Sequence, residues 1–387
     1  MTKKTEGLAG VIAGESAICS LDKKHSGLSY RGYSIFELAE HASFEEVAYL
    51  LIRGKLPNAM ELSVYLYHLI SLREIPLVLK TILELLPAQA HPMDVLRTVC
   101  SVLGTLELES KAGDQYAIPD RLIACFPGAL LYWYHFHAHG KKINTGVAQD
   151  STAGYFLTLL HGKKPEELER RALDVAFILY AEHEFNASTF AARVTVATRS
   201  DFYSAICAAI GALRGSLHGG ANEMALKLIK QFDSPQHADV GVRAMLAKKE
   251  LIMGFGHRVY MHGDPRSTII KAWAKKLAEK TNNELMFTIA ERIEKVMYDE
   301  KGLFPNLDFY CAAAFYFSGI PNFLFTPIFV LSRITGWSAH ILEQRANNRL
   351  IRPLAKYIGP APRKYPPIEK RSAVSSAPAH NYSVSVE

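Results

Sequence analysis

The sequence is poor in cysteine and lacks the residue spacings that bind metals. The five cysteines are Cys19, Cys100, Cys125, Cys207 and Cys311. Their number is odd and none lies in a C-x-x-C pair, so we predict free thiols in a reducing compartment. The histidines show neither H-E-x-x-H nor another metal-binding helix spacing, and we expect no metal site.

Long apolar runs are missing as well. No stretch of 18 apolar residues occurs, and the apolar stretch 321–331 is short and interrupted by prolines, which argues against a membrane-spanning helix. The first residues, MTKKTEGLAG, carry positive charge but no continuous apolar segment and no clear cleavage site. No signal peptide is therefore predicted, and we expect a soluble, cytoplasmic protein without a membrane partner.

The excess of positive charge is small and dispersed. The net charge is +6, and the basic residues come as scattered pairs, such as Lys163-Lys164 and Lys275-Lys276, between acidic residues. A nucleic-acid-binding protein would more often concentrate them in a stripe or an arm, so nucleic acid is not a predicted partner. A mild basic excess fits anionic small substrates better.

Strand-like alternation is nearly absent after the first residues, and the predicted fold class is all-α. Residues 8–33 are rich in glycine, serine and short β-branched runs, which predicts a small N-terminal β element. Capping boxes are predicted from Ser34 to Glu37 and from Ser43 to Glu46, with Gly54 ending the second helix. The length of 387 residues favours two domains.

Two segments that contain glycine and histidine, one of them with arginine as well, interrupt stretches of sequence that predict helices. His218 lies in SLHGGANE, where the glycines let the backbone bend and approach a ligand closely; a helix end with a surface histidine is the alternative. The loop IMGFGHRVYMHGDPR, residues 252–266, suits an anionic group, and a basic surface loop is the alternative. A Rossmann site is not predicted, because G-x-G lacks its third glycine and the flanking strand.

Three further segments carry candidate chemistry. Asp308 follows a Pro-Asn turn at the start of an apolar stretch that predicts a helix. It is therefore either a helix cap or a carboxylate base beside an apolar pocket. His183 lies between two glutamates at the end of an apolar helix. Arg333 and Arg352 bracket the last helical stretch; they are either solvated or clamp a dicarboxylate through bidentate pairs.

These segments together resemble the citrate synthase family. SLHGGANE, GFGHRVY followed by DPR, PNLD, and the SR-x-x-G to RP ending occur in the family's order, and the resemblance covers residues 8–359. The stretches HPMDVLRT, LYWYHF and LYAEHEFNASTF resemble the 2-methylcitrate synthase subgroup more than the citrate enzymes. The implied fold is a citrate-synthase-like two-domain helical fold. Its large domain would comprise residues 1–218 and 320–359, its small domain residues 219–319, and residues 360–387 would form an extended or disordered tail.

The resemblance also implies the chemistry. The chain would be an acyltransferase that condenses propionyl-CoA, and to some extent acetyl-CoA, with oxaloacetate and water, without a metal or another cofactor. Asp308 would remove the α-proton of the acyl group. His218 would donate to the thioester carbonyl, and His257 would donate to the ketone of oxaloacetate.

Binding residues follow from the same matches. Oxaloacetate would be held by His183, Arg266, Arg333 and Arg352, the last of which the partner subunit of a homodimer would supply. CoA would be bound by Gly254, Gly256, Arg258 and Lys301. The sequence departs from many citrate synthases at Met261, where they carry a basic residue near the CoA phosphates.

Several functions remain open at this point. A pocket can discriminate for or against the extra methyl group of propionyl-CoA by only ~1–3 kcal/mol of binding free energy. A citrate synthase that prefers acetyl-CoA is therefore an alternative. A helical interaction protein without activity is an alternative of another class, although all seven catalytic and oxaloacetate positions are present. A histidine-based metallohydrolase is the last alternative, and activity that survives chelation would exclude it.

Overall fold

The computed structural model describes residues 6–8, 10–22, 27–111 and 113–371. Within these residues the chain forms sixteen α-helices and three short β-strands. The prediction of an all-α fold with a small N-terminal β element is therefore confirmed. None of the described helices is both long and apolar enough to cross a membrane.

The strands form an antiparallel sheet in the order β1-β2-β3. They are β1 (Cys19–Asp22), β2 (Gly27–Tyr30) and β3 (Tyr33–Ser34). Tyr30 at the end of β2 is fully buried, and its hydroxyl donates to the carbonyl oxygen of Glu182 at 3.0 Å. The sheet thereby fixes the backbone next to His183, one of the predicted substrate residues.

Many of the helices follow one another through short connections, whereas residues 140–151 and 248–264 form longer loops. The first eight are α1 (Ile35–His41), α2 (Phe44–Arg53), α3 (Ala59–Ser71), α4 (Leu77–Leu85), α5 (Pro92–Leu106), α6 (Ala117–His139), α7 (Thr152–His161) and α8 (Glu167–Tyr180). The others are α9 (Ala187–Ala197), α10 (Phe202–Leu213), α11 (Ala221–Ile229), α12 (Pro235–Ala247), α13 (Pro265–Lys280), α14 (Glu284–Lys301), α15 (Leu307–Phe317) and α16 (Phe325–Ala346).

Local capping explains where the early helices begin and end. Ser43 and Glu46 form the predicted capping box of α2, and Gly54 ends that helix in a left-handed conformation with φ 82°. The box predicted at Ser34 was wrong. The Ser34 side chain accepts from the Phe36 amide at 3.3 Å, while the Glu37 carboxylate lies near His41 one turn later.

Helix α16 lies in the middle of the core and carries much of the polar chemistry. Its residues from Phe325 to Ile341 are all buried, and it packs against α2, α5, α6, α8, α9 and α10. A helix that is buried on all sides must satisfy its polar side chains internally. Arg333, Trp337 and His340 on this helix therefore bond to the last residue of α8, the first turn of α9 and the segment between them.

The chain divides into two compact units, residues 1–351 and residues 352–387. The predicted boundaries at 218/219 and 319/320 stay predictions. In the second unit, residues 352–371 contain one short 3₁₀ turn, Ile368–Lys370, and expose several large apolar side chains: Leu354, Tyr357, Ile358, Tyr365 and Ile368. Residues 372–387 of the predicted tail lie outside the described residues.

Candidate active site

Two loops pair with each other and bring two predicted catalytic residues into one region. The amide of Gly256 donates to the carbonyl oxygen of Phe304 at 2.8 Å, and the amide of Asn306 donates to that of Gly254 at 2.9 Å. Gly254 has φ 92°, and a Cβ there would lie 3.1 Å from Phe309, so glycine is required. His257 and Asp308 each follow one arm of this pairing.

Asp308 lies in the first turn of α15 but does not cap it. Asn306 is the cap, and its side chain accepts from the Asp308 amide at 3.1 Å. The Asp308 carboxylate accepts a hydrogen bond of 2.5 Å from the Tyr180 hydroxyl. Burial raises the pKa of Asp308, and the hydrogen bond from Tyr180 opposes that rise. The geometry thus favours the carboxylate-base interpretation over the helix cap.

The bonds of the His257 ring fix its tautomer. Its Nδ1 accepts from the backbone amides of Val259 at 3.1 Å and Tyr260 at 3.3 Å, so the neutral ring carries its hydrogen on Nε2. Burial, aided by the positive charge of Arg266, lowers the pKa of His257 to about 4. At neutral pH this residue is an uncharged donor.

His218 has the opposite tautomer. Its Nε2 accepts from the backbone amide of Ser188 at 3.2 Å, and the Ser188 hydroxyl lies 2.8 Å from the same nitrogen. The hydrogen of the neutral ring is therefore on Nδ1. Burial and the nearby Arg333 lower the pKa of His218 to about 4. The ring lies 6.4 Å from that of Phe329, centroid to centroid.

His183 lies beside His257, one of the predicted catalytic residues. Its Nε2 is 3.1 Å from the Tyr260 hydroxyl, and its ring centroid is 5.0 Å from that of His257. Burial lowers the pKa of His183 well below its ordinary range, and Arg266 adds to this effect. The residue is an uncharged hydrogen-bonding group at neutral pH.

Arg266 is buried and held by one carboxylate. Its Nε and Nη2 donate to the two oxygens of Asp264 at 2.9 and 2.8 Å. Asp264 also caps α13 through the Arg266 amide and accepts from the Leu307 amide at 3.1 Å. Burial lowers the pKa of Arg266, but the negative charge and hydrogen bonds of Asp264 outweigh this effect and raise the pKa above its ordinary value. The guanidinium is therefore charged. Asp264 connects the loop of His257 to the start of α15.

Arg333 is almost fully buried, with 1% of its surface exposed. Its Nε donates to the Tyr180 carbonyl oxygen at 2.6 Å, and its guanidinium carbon lies 4.6 Å from the centre of the Phe329 ring. Burial lowers the pKa of Arg333, and the negative charge of Glu182 opposes this. Because Nε is held by the Tyr180 carbonyl oxygen, the two terminal nitrogens of the guanidinium keep a fixed orientation that suits an anionic ligand.

Six of the predicted residues thus form one cluster, joined by contacts or by mutual effects on their pKa values. They are His183, His218, His257, Arg266, Asp308 and Arg333. Among the described residues, no group of three or more His, Cys, Asp or Glu side chains is placed to hold a metal ion. The absence of a metal requirement stays a prediction.

The predicted CoA residues lie partly apart from the cluster. Gly254 and Gly256 belong to the loop pairing, whereas Arg258 and Lys301 are exposed to solvent. No hydrogen bond or ion pair found in the described part of the chain joins either side chain to the cluster. Met261 is 74% exposed. Arg352 belongs to the second unit, and its predicted role stays a prediction.

Sequence reasoning assigned no role to several residues that hold this cluster. Each of these residues forms a hydrogen bond either to a cluster residue or to the group that orients one: Tyr180, Ser188, Tyr260, Asp264 and Trp337. All five lie within five residues of a predicted site residue in the sequence. That proximity was the available signal, since only the fold shows where their polar atoms point.

Comparison with known proteins assigns the family. The family described as "Citrate synthase, C-terminal domain" matches residues 7–354. The chain belongs to the citrate synthase family. Its members among the relatives are acyltransferases, and the chain is an acyltransferase of the citrate and 2-methylcitrate synthase group.

Two relatives illustrate the range of this family. The 2-methylcitrate synthase of Shewanella oneidensis is 50% identical over 94% of this chain and 97% of its own length. Citrate synthase 2 of Bacillus subtilis is 44% identical over 95% of this chain and 99% of its own length. Both 2-methylcitrate synthases and citrate synthases occur among the similar relatives. Sequence similarity therefore assigns this chain to the group that contains both activities and does not distinguish propionyl-CoA from acetyl-CoA.

Solved structures agree with the fold. The citrate synthase of Thermoplasma acidophilum, in a ternary complex with carboxymethyl coenzyme A and oxaloacetate, is 33% identical to this chain, with a TM-score of 0.88. It covers 95% of this chain and 99% of that chain. The citrate synthase of Thermotoga maritima is 36% identical with a TM-score of 0.84, over 95% of this chain and 99% of that chain. The helical architecture is therefore that of the family.

Proposed function

We propose that the chain condenses propionyl-CoA with oxaloacetate and water to give 2-methylcitrate and CoA, with some activity toward acetyl-CoA. One observation carries the proposal. A buried carboxylate with a raised pKa, Asp308, lies in one cluster with two neutral histidines of defined tautomer. Such a set suits proton removal next to a thioester followed by attack on a ketone.

The first step is enolisation of the acyl group. Asp308 takes the α-proton, and the electron pair of the broken C–H bond forms the enol double bond. The Nδ1–H of His218 donates to the thioester oxygen as negative charge develops there. The raised pKa of Asp308 makes it a stronger base than an exposed aspartate.

The second step forms the carbon–carbon bond. The enol carbon attacks the ketone carbon of oxaloacetate, and the Nε2–H of His257 donates to the ketone oxygen as it becomes an alkoxide. Water then hydrolyses the thioester and releases CoA. His183, Arg266 and Arg333 bind the two carboxylates of oxaloacetate, and each hydrogen bond to a charged group is worth ~1.5–3 kcal/mol.

Lys301, Arg258, Gly254 and Gly256 are the proposed CoA-binding residues. Arg258 and Lys301 are exposed, which suits contact with the phosphates of a large ligand that reaches into solvent. Met261 offers no charge there. Domain closure over both substrates, as predicted for residues 219–319, would exclude water until the carbon–carbon bond has formed.

The acyl preference is tested by measuring thiol release with oxaloacetate and each acyl-CoA in turn. We expect a higher kcat/KM with propionyl-CoA than with acetyl-CoA. The reverse order would replace the proposal with citrate synthase. Release of CoA from neither thioester would instead favour the helical interaction protein. Repeating the assay after exhaustive chelation tests the proposed independence of metals, and lost activity would contradict it.

A homodimer is also proposed, with the partner subunit's Arg352 completing the oxaloacetate site. The exposed apolar side chains of residues 352–371 support a second copy as their partner. Subunit complementation tests this. Asp308→Asn and Arg352→Ala chains are each expected to be inactive, and refolding them together should restore activity, because one site per mixed dimer is intact. No recovery would mean that each chain supplies its own Arg352.

A cytoplasmic location, inferred from the reducing cysteine pattern, remains a prediction. Fractionation of cells that produce the untagged chain would check it, with enrichment in the membrane or secreted fraction as the contrary result.

A further inference from the structure

Trp337 is linked to a catalytic histidine through one hydroxyl group. Its indole Nε1–H donates to Ser188 Oγ at 3.0 Å, and Ser188 Oγ lies 2.8 Å from Nε2 of His218. Trp337 and Ser188 are both 0% exposed, so water does not compete for these bonds. The indole therefore acts on His218 without touching it.

The hydrogens around Ser188 can be assigned. A serine hydroxyl has one hydrogen and two lone pairs, and the Trp337 N–H occupies one lone pair. The single hydroxyl hydrogen is thereby directed away from the indole and toward one of two acceptors at 2.8 Å, Nε2 of His218 or Oδ1 of Asn186. The Ser188 amide also points at Nε2, so that nitrogen is an acceptor and Nδ1 keeps the ring hydrogen.

We propose that Trp337 is a positioning residue for the condensation. Through the Ser188 hydroxyl it holds His218 in the orientation that leaves Nδ1–H free for the thioester oxygen. The inference rests on the proposed function, because it assigns a task to the His218 hydrogen. Arg333 lies one helical turn before Trp337 on α16. One rigid helix thus sets both the oxaloacetate arginine and the hydrogen-bond donor for the acyl group.

The kinetic test uses Trp337→Phe, which keeps an aromatic ring but removes the N–H. We expect kcat to fall ~3- to 10-fold, the equivalent of one neutral hydrogen bond, with little change in the KM for oxaloacetate. Ser188→Ala should lower kcat at least as much. In the double variant, Trp337→Phe should add no further loss, because its effect passes through the removed hydroxyl. Additive losses would overturn the proposal.

A spectroscopic readout separates positioning from mere packing. The ¹⁵N shifts of His218, assigned by comparison with His218→Asn, report which ring nitrogen carries the hydrogen. We expect the wild type to show protonated Nδ1, and Trp337→Phe to keep that tautomer, because the Ser188 amide still donates to Nε2, but to show a changed Nε2 shift. Unchanged shifts together with unchanged kcat would refute the role of Trp337. This readout needs no turnover, so it stands even if wild-type activity toward both acyl-CoAs is absent and the proposed function fails.

Trp273→Phe is the matched control. Trp273 lies on α13, where its ring contacts Lys276, and its substitution should change neither kcat nor the His218 shifts. Thermal melts of each variant establish the folded fraction. If Trp337→Phe does not fold, Ser188→Ala still tests the hydroxyl link, and wild-type kcat in that variant would overturn the proposal.

Discussion

The hydroxyl of Tyr180 donates a hydrogen bond of 2.5 Å to the carboxylate of Asp308. This bond joins the end of α8 to the first turn of α15 and sets the basicity of the proposed base. Burial raises the pKa of Asp308, and the bond from Tyr180 is the largest influence in the opposite direction. Tyr180 thus stabilises the ionised form of the carboxylate in surroundings that favour its protonated form.

The first prediction is that Tyr180→Phe moves the acid limb of the pH–rate profile to higher pH. Loss of the hydrogen bond removes a stabiliser of the ionised form, so the pKa of Asp308 rises further and the base is lost at a higher pH. In the wild type this limb should already lie above the ordinary aspartate value of 3.8. The measurement is kcat/KM for the acyl-CoA as a function of pH.

Tyr298→Phe provides the comparison for that experiment. Tyr298 lies on α14 with 66% of its surface exposed, and no hydrogen bond found among the described residues joins its hydroxyl to Asp308. Its profile should overlay the wild type. A shift of the Tyr180→Phe limb toward lower pH would show that the tyrosine destabilises the carboxylate.

The second prediction concerns the base itself. Asp308→Ala should nearly abolish condensation while oxaloacetate still binds, because His183, Arg266 and Arg333 do not depend on that carboxylate for their own contacts. Calorimetric titration with oxaloacetate measures binding, and thiol release measures turnover. A variant that turned over normally would remove Asp308 from the mechanism.

The sequence predicted the helical class, the capping of α2 and six side chains that the fold brings into one cluster, because these depend on local patterns and on family motifs. It could not predict how Tyr180, Ser188 and Trp337 orient those side chains. Their polar atoms belong to residues that read as ordinary core or capping positions. Contacts between elements distant in the sequence bring these donors within reach of their acceptors. The capping box at Ser34 failed for a local reason, since Ser34 accepts from the Phe36 amide and Glu37 lies near His41.

The third prediction links two histidines to acid stability. His218 and His257 have pKa values of about 4 in the folded chain and an ordinary value of 6.5. Between those values the unfolded chain binds more protons, so the free energy of unfolding increases with pH and decreases as the pH falls from 6.5 toward 4. Asp308, with its raised pKa, contributes with the opposite sign.

Urea unfolding at pH 7 and pH 5 measures this dependence. His257→Gln should flatten it, because glutamine cannot take up the proton in the unfolded chain. His41→Gln, at a histidine with a side chain 67% exposed, should leave the slope unchanged. Equal slopes for the wild type and His257→Gln would contradict the assignment.

The fourth prediction concerns Gly336, in the middle of α16. A Cβ at this position would lie 2.2 Å from Glu182 Oε2 and 2.4 Å from the carbonyl oxygen of Ala181, closer than real atoms approach. Gly336→Ala must therefore displace the segment that carries His183. Overpacking of this kind costs ~1–3 kcal/mol, and displacement of His183 should also raise the KM for oxaloacetate.

Gly211→Ala, on α10, makes the same chemical change in open space, with nothing within 4 Å of the added Cβ. It should leave the KM unchanged and stabilise the fold by ~0.5–1 kcal/mol, since alanine favours a helix over glycine. Urea unfolding and oxaloacetate titration of both variants give the comparison. If Gly336→Ala matched Gly211→Ala in both measurements, close packing of the Ala181–Glu182 backbone on α16 would not be what positions His183.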